Sequence, residues 1–156
     1  MTMHYGLVMV RPNKNLLLAQ LNAADFGQVV PWLSLIQLNA LEVLHDKSEP
    51  IQTVYFPVGA VIAKYHVCHC GLEHYLLRVS EGGMVGMAAI GDGISAWKAQ
   101  VEKAGPAYSM SLKDFQGAIE HVMGFRQMVV RETLMLTEQF MRQAAMNELN
   151  HSRLSL

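Results

Sequence analysis

The sequence predicts a mainly β fold with flanking helices. Between residues 33 and 111, short apolar stretches alternate with turn signals, among them DKSEP at 46–50 and the glycine-rich segment 81–93. Strands this short, separated by turns about every 8–12 residues, are typical of a β-sandwich, barrel or jelly roll and not of a parallel α/β sheet. After Ser111 no further strand is predicted. At 156 residues, the chain is long enough for one domain with a full core and hardly for two.

The predicted strands are preceded by a helix. Asn22 can cap this helix, Asp25 lies in its first turn, and Pro31 is expected to end it near Val30. The strands that follow are predicted at residues 33–38, 42–44, 51–56, 60–67, 72–80, 96–102 and 107–111. A glycine-proline pair at 105–106 is expected to break the chain before the last strand.

Two helices are predicted after the strands. Ser111 can cap a helix over 112–123, and Gly124 is expected to separate it from a longer helix that runs from Phe125 to about Leu149. The longer helix carries a narrow seam of the coiled-coil type with 4-3-4-3 spacing, formed by Val130, Leu134, Thr137, Met141 and Ala144. The seam can pack on the chain's own strands or pair with a second copy. We favour a homodimer, because this helix is long, late in the chain and rich in methionine.

Composition and charge limit the classes of partner. The chain is 51% hydrophobic and 16% charged, which favours apolar surface that is buried against a partner. Its net charge is −1 and it has no cluster of basic residues, so it lacks the electrostatic footprint of a nucleic-acid-binding domain. No apolar run approaches the roughly 18–20 residues that span a bilayer. Because no charged region precedes the first apolar residues, we expect no signal peptide and a cytoplasmic location. The two cysteines give no disulfide framework, which fits a reducing cytosol.

Four segments, in this order along the chain, resemble the sensor half of Crp/Fnr-type bacterial transcription regulators. They are NLLLAQLNAADFGQVVPWLSLIQL (15–38), SEPIQTVYFPVGAVIAKY (48–65), EGGMVGMAAI (81–90) and SAWKAQV (95–101). The resemblance covers about residues 15–150. It implies a jelly roll (double-stranded β-helix) of the cyclic-nucleotide-binding-domain type at 1–124, and a dimerisation helix at 125–156. The family's helix-turn-helix domain would begin where this chain stops, so DNA binding is implied only for a longer parent protein.

The glycine-rich turn resembles the phosphate cassette of this family. Gly82, Gly83 and Gly86 bracket a possible short helix from Met84 to Ile90, where free backbone N–H groups would attract a phosphate. A tight turn with an apolar helix that fills the barrel is the alternative. On the ligand interpretation, the binding residues are predicted to be Gly83, Met84, Val85, Gly86, Met87, Ala88, Ser95, Lys98, Phe140 and Met141.

The cassette departs from the pattern of the family's cyclic nucleotide binders. Those proteins hold the ribose with a glutamate after the second glycine, where this chain has Met87, and the phosphate with an arginine that is missing here. Lys98 can serve as a point charge for an anion, or it can be a strand lysine that faces solvent. Phe140 and Met141 stand where the family's long helix presents hydroxyl groups to the purine. We therefore expect a small anionic or apolar effector, or no ligand, and not cyclic AMP.

The stretch HVCHCGLEH at 66–74 contains both cysteines and three of the seven histidines. As a hairpin with a two-residue turn, it would place His66, Cys68 and Cys70 on one face, with Cys68 opposite Glu73, His66 opposite Tyr75, and His74 on the other face. Positions i and i+4 on a strand are about 13 Å apart, which is too far for one zinc ion. We predict a hairpin at the solvent edge without a metal. A metal- or haem-linked redox sensor that uses His66, Cys68, Cys70 and His74 is the alternative.

The remaining polar residues do not predict an enzyme. His4, His45, His121 and His151 are scattered and are expected to be exposed or hydrogen-bonded. The chain has no H-x-H pattern of the cupin kind and no nucleophile–base pairing. A last alternative is a degenerate domain that is kept only for dimerisation.

Overall fold

In the computed structural model, which describes residues 15–154, the strands form two antiparallel sheets. The strands are β1 (Ser34–Leu38), β2 (Val43–His45), β3 (Thr53–Pro57), β4 (Val61–Val67), β5 (Glu73–Val79), β6 (Lys98–Lys103) and β7 (Gly105–Ser111). One sheet has the order β1-β7-β3 and the other the order β2-β6-β4-β5. The predicted mainly β fold is confirmed. His4 lies outside the described residues.

The glycine-proline pair opens β7 and does not break the chain away from the sheet. Gly105 pairs with Leu38, and Pro106 pairs with Gln37. A Cβ atom at Gly105 would lie 2.5 Å from the backbone nitrogen of Ala60, so only glycine permits this approach of two backbones. The predicted break was wrong because the pair permits close packing at the start of a strand.

The β4–β5 hairpin has a register one residue away from the predicted one. His66 lies opposite His74, Val67 lies opposite Glu73, and the backbone N–H of Cys68 donates to Leu72. The connection is longer than two residues and turns at Gly71, which has a φ of +85°. The two histidines are therefore cross-strand neighbours on one face, and the predicted separation of His74 from His66 was wrong.

Among the described residues, three α-helices flank the sheets, namely α1 (Ala23–Val29), α2 (Leu112–His121) and α3 (Met123–Leu154). Both predicted caps are confirmed. The side chain of Asn22 accepts a hydrogen bond from the N–H of Asp25 at 2.8 Å, and Ser111 Oγ accepts one from Asp114 at 3.1 Å. Helix α1 ends before Pro31, as predicted, and a short 3-10 helix follows at Val30–Trp32.

The break between α2 and α3 lies at Val122, with φ −117° and ψ 99°, and not at Gly124. Gly124 lies inside the first turn of α3, where an added Cβ atom would collide with the carboxylate of Asp25. Its role is therefore to let α1 approach the start of α3. Phe125 follows directly and is fully buried, with its ring 5.6 Å from that of Phe115 and 6.3 Å from that of Phe56. The start of the long helix is thus part of the core of the roll.

A second cluster of buried side chains fills the space between the two sheets. Its members come from both sheets and include Leu38, Ile62, Val79, Val85, Val101 and Ala107. Since Val85 belongs to the glycine-rich turn, the turn is itself part of the core. Within residues 15–154, no helix is both long and apolar enough to cross a membrane.

Candidate ligand-binding site

The cassette, which we define as residues 82–90, is held against β3. Tyr55 and Val85 exchange backbone hydrogen bonds of 2.9 and 2.8 Å. Gly86 has a φ of +119°, and a Cβ atom there would lie 3.2 Å from Val54 Cγ2 and 3.4 Å from His45 Cε1. The short helix is a 3-10 helix at Met87–Ile90, so it starts three residues later than predicted. The glycine lets the cassette enter the space between the sheets.

An inner cavity of about 270 Å³ opens beside the cassette. Its lining comes from the cassette, from the segment that follows it, from β2, β4 and β6, and from the connection between β2 and β3. The lining residues are His45, Ile51, Lys64, Gly86, Met87, Ala88, Ser95, Ala96, Trp97 and Ala99. Most of these side chains are apolar or small, and the polar ones are few.

Burial perturbs the two ionisable side chains of the inner cavity. Desolvation lowers the pKa of Lys64 below its usual value. Desolvation also lowers the pKa of His45, although its Nε2 atom donates to the carbonyl oxygen of Thr53 at 2.8 Å. Ser95 Oγ donates to the carbonyl oxygen of Trp97 at 2.6 Å. Lys64 is therefore the one cationic side chain that lines the inner cavity, within the described residues.

A larger outer groove of about 720 Å³ runs between β5 and α3. Strand β5 is the edge of its sheet, so its free side faces this groove. The helix contributes Glu132, Leu136, Gln139, Phe140, Gln143, Ala144 and Asn147. Burial raises the pKa of Glu132 above the usual value of a carboxyl group.

The predicted ligand-binding residues are divided between the inner cavity, the outer groove and positions outside both. Gly86, Met87, Ala88 and Ser95 line the inner cavity. Gly83, Met84 and Phe140 line the outer groove. Val85 is fully buried. Lys98 lines neither and pairs with Glu73 at 2.5 Å, while Met141 is 67% exposed. Phe140 thus shares the outer groove with Gly83 and Met84, whereas no described residue of α3 lines the inner cavity.

Sequence reasoning missed Lys64, His45 and Trp97 as cavity residues. The signal for Lys64 was a single charge inside the apolar strand VIAKYHV, in register with the buried Ile62. His45 was expected to be exposed or hydrogen-bonded, and it is both buried and bonded. Nothing local indicated that β2 would bring it next to Gly86.

The cassette also contacts the long helix. The sulfur of Met87, which lines the inner cavity, lies 3.3 Å from the hydroxyl oxygen of Thr133 on α3, whose single proton it shares with the carbonyl oxygen of Val129 at 2.8 Å. The same side chain thus lies between the inner cavity and α3, and a change in its position affects both.

The tip of the β4–β5 hairpin holds a disulfide between Cys68 and Cys70, although the sequence predicted no disulfide framework and a reducing cytosol. The ring of His66 stacks on that of His74 with centroids 6.4 Å apart, and it meets the Trp97 ring edge-on at 6.0 Å. Among residues 15–154, no group of three or more His, Cys, Asp or Glu side chains is arranged to hold a metal ion.

Comparison with known proteins gives the class of fold. The sequence matches no family model and no curated protein. The structure is similar to a cyclic-nucleotide-binding domain from Methylobacillus flagellatus, with a TM-score of 0.71 at 10% identity over 88% of this chain and 82% of that chain. It is also similar to the catabolite activator protein of Thermus thermophilus, with a TM-score of 0.64 at 15% identity over 91% and 63%.

A third similar structure is the sensor domain of the transcriptional regulator DNR from Pseudomonas aeruginosa. The TM-score is 0.62 at 15% identity, over 90% of this chain and 93% of that chain. The chain spans only 42% of the similar protein kinase A regulatory chain from Toxoplasma gondii. At these identities the comparisons establish the fold, which is that of a cyclic-nucleotide-binding domain, shared by sensor and regulatory domains.

Proposed function

We propose that the chain is the ligand-sensing and dimerisation domain of a Crp/Fnr-like transcription regulator. The observation that carries this proposal is the position of Met87, which lines the inner cavity on one side and contacts Thr133 of α3 on the other. A compound in the cavity that moves Met87 changes the packing of α3. A ligand that binds one position of α3 more tightly than the other then shifts the population towards that position.

The far part of α3 is proposed to pair with a second copy of the chain. The seam side chains Val130, Leu134 and Met141 are 47%, 60% and 67% exposed, although they are apolar. Their spacing is that of a coiled-coil seam, and pairing would bury them. On this proposal, α3 from Phe125 onward is the dimerisation helix, and the described residues before it belong to the sensor domain.

The effector is proposed not to be cyclic AMP. The thioether of Met87 is at most a weak acceptor and does not replace the carboxylate that accepts hydrogen bonds from a ribose hydroxyl. The segment from Ser95 to Lys98 brings no arginine, and its lysine is already paired with Glu73. The inner cavity has a different set of polar groups and therefore suits a different compound.

Two readouts test the sensing role. Trp32 and Trp97 are the tryptophans of the chain, so Trp32→Phe leaves Trp97 as a reporter inside the cavity lining. Cyclic AMP, adenosine, sodium phosphate and sodium butyrate are titrated while Trp97 emission is recorded, and hydrogen exchange is followed over residues 125–140. Any probe that changes Trp97 emission is expected to change exchange in α3. Binding without an effect on α3 would refute the sensing role.

A second candidate function is thiol–disulfide sensing at the hairpin tip, which the Cys68–Cys70 disulfide favours. The bond closes a loop of very few residues, so it contributes little to stability through loop entropy. Reduction by a dithiol would give two thiols beside His66 and His74, the residue types that bind zinc or haem iron. His66 contacts Trp97, so Trp97 emission during reduction with dithiothreitol tests the idea. Unchanged emission and unchanged exchange in α3 would exclude this role.

A further inference from the structure

Lys64 occupies an unusual position for a lysine. It lies on β4 between Leu77 of β5 and Ala99 of β6, in the same strand as the fully buried Ile62. The residues opposite Lys64 on the two neighbouring strands are therefore aliphatic, and the side chain of Lys64 lines the inner cavity. A lysine in such a place is rare unless something pairs with its charge.

The two acidic side chains that belong to the strands of this sheet are paired elsewhere. Glu73 pairs with Lys98, and Glu102 forms a two-point contact with Arg78 at 2.6 and 2.9 Å. Within the described residues, no carboxylate forms an ion pair with Lys64, and none lines the inner cavity. The cavity thus holds a partly desolvated lysine without a counter-ion among the described residues.

We propose that the inner cavity binds a small anion through Lys64, namely a compound with one carboxylate or phosphate group on a short apolar body. This inference rests on the proposed function, because it names the ligand class of the same sensor site. A charge in an apolar cavity is costly unless it is paired, so an anion that reaches Lys64 gains a partly desolvated partner. The lowered pKa of Lys64 agrees with that desolvation.

The volume and the lining of the cavity limit the size and the polarity of the ligand. About 270 Å³ lies below the roughly 300–1,000 Å³ of pockets for drug-sized ligands. Ile51, Met87, Trp97 and Ala99 give it an apolar wall. His45 and Ser95 already donate to backbone carbonyl groups, so Lys64 is the side chain left to bind the acid group.

Lys64 also lies on a different structural element from the phosphate-binding arginine that the family resemblance implies. The family's arginine follows the cassette, whereas Lys64 lies on β4, before the cassette in the chain. An anion at Lys64 would still lie beside Met87, which lines the same cavity. The proposed contact to α3 through Thr133 is therefore compatible with this ligand class.

Titration of the Trp32→Phe protein tests the inference. Sodium phosphate and sodium butyrate are added at constant ionic strength, with sodium chloride as the reference salt, and Trp97 emission is recorded. We expect a saturable change with at least one of the two anions, and the stronger response tells a phosphate from a carboxylate. Lys64→Met should weaken that binding by at least tenfold, Lys64→Arg should restore part of it, and the exposed Lys113→Met should leave it unchanged. If Trp32→Phe fails to fold, calorimetric titration of the unsubstituted protein gives the same comparison.

The outcomes separate the inference from the function on which it rests. Equal binding by the Lys64→Met protein, or binding of adenosine but of neither anion, would overturn the anion assignment and leave the sensor role standing. No response to any probe, together with unchanged exchange in α3, would overturn both. Saturable anion binding that depends on Lys64 but leaves α3 unchanged would support the assignment and refute the sensor role.

Discussion

The hydroxyl of Thr133, in α3, lies 3.3 Å from the sulfur of Met87, in the cassette. The same hydroxyl lies 2.8 Å from the carbonyl oxygen of Val129, one turn earlier in the helix. This contact joins two elements that are far apart in the sequence, and Met87 also lines the inner cavity. Met87 therefore contacts both the cavity and the helix.

The strength of this contact can be measured with a double-mutant cycle. Thr133→Val and Met87→Leu each remove one partner at nearly constant volume. We expect a coupling free energy of about 0.5–1 kcal/mol in urea unfolding, because contacting residues are not additive. Thr137 donates to the carbonyl oxygen of Thr133 at 2.8 Å, so Thr137→Val with Met87→Leu is the matched control and should show additivity. Equal coupling in both cycles would mean that the contact is not specific.

Gly86 is expected to be the most sensitive glycine of the cassette. Gly86→Ala must hold φ near +119° and place a methyl group 3.2 Å from Val54 Cγ2, so we expect a loss of about 1–3 kcal/mol in the free energy of unfolding. Gly82→Ala meets nothing within 4 Å and should change that free energy by no more than about 1 kcal/mol. Chemical denaturation of both proteins checks the difference, and a comparable loss at Gly82 would contradict it.

His45 should make the fold sensitive to mild acid. Burial lowers its pKa below the ordinary value of 6.5, so the unfolded chain binds a proton at a pH where the folded protein does not. The stability that neutral His45 contributes to the folded protein is fully present above pH 6.5. It is lost as the pH falls towards the pKa of His45 in the folded state. His45→Gln keeps an N–H donor for Thr53 and removes the titration, so its melting temperature should fall less between pH 7 and pH 5.

The control for this pH series is His121→Gln, which removes a histidine from the exposed end of α2. The unsubstituted protein, His45→Gln and His121→Gln are melted across the same pH range. If His45→Gln follows the unsubstituted protein at every pH, buried His45 does not cause the acid sensitivity.

The seam of α3 can be tested by one pair of neighbouring residues. Leu134 and Met135 are similarly exposed, at 60% and 63%, but only Leu134 belongs to the seam. Leu134→Glu is expected to weaken the homodimer at least tenfold in sedimentation equilibrium, because it places a charge in the paired surface. Met135→Glu should leave the dimer intact. A monomeric unsubstituted protein, or equal effects of the two substitutions, would refute pairing through this seam.

Local features of this fold could be predicted from the sequence. Asn22 and Ser111 cap their helices through side-chain contacts three residues away, which is a distance that the sequence displays directly. The order of short strands and turns predicted the β fold, because strands and turns are also visible in consecutive residues. Such features depend on neighbours in the chain and hardly on the rest of the molecule.

The inner cavity could not be predicted in the same way. The position of His45 beside Gly86 depends on how two distant segments meet. The hairpin register depends on the length of one turn, and an error of one residue moved His74 to the wrong face. The likeness to known sensors also directed attention to Lys98, while Lys64, two residues after Ile62, carries the free charge of the cavity.

Because Gly124 has no side chain, α1 packs closely against the start of α3 and holds that end of the helix, while the other end is exposed. Asp25 of α1 packs where a Cβ atom would be, and Phe125, Met128 and Val129 are buried just beyond it, so the helix is fixed at its first turns. The helix has 32 residues and is therefore about 48 Å long, and everything beyond residue 137 is exposed up to residue 153. A tilt of about 5° at the fixed end would move the far end by about 4 Å. A shift of Met87 against Thr133, ten residues into the helix, would thus give a larger displacement at the distal end.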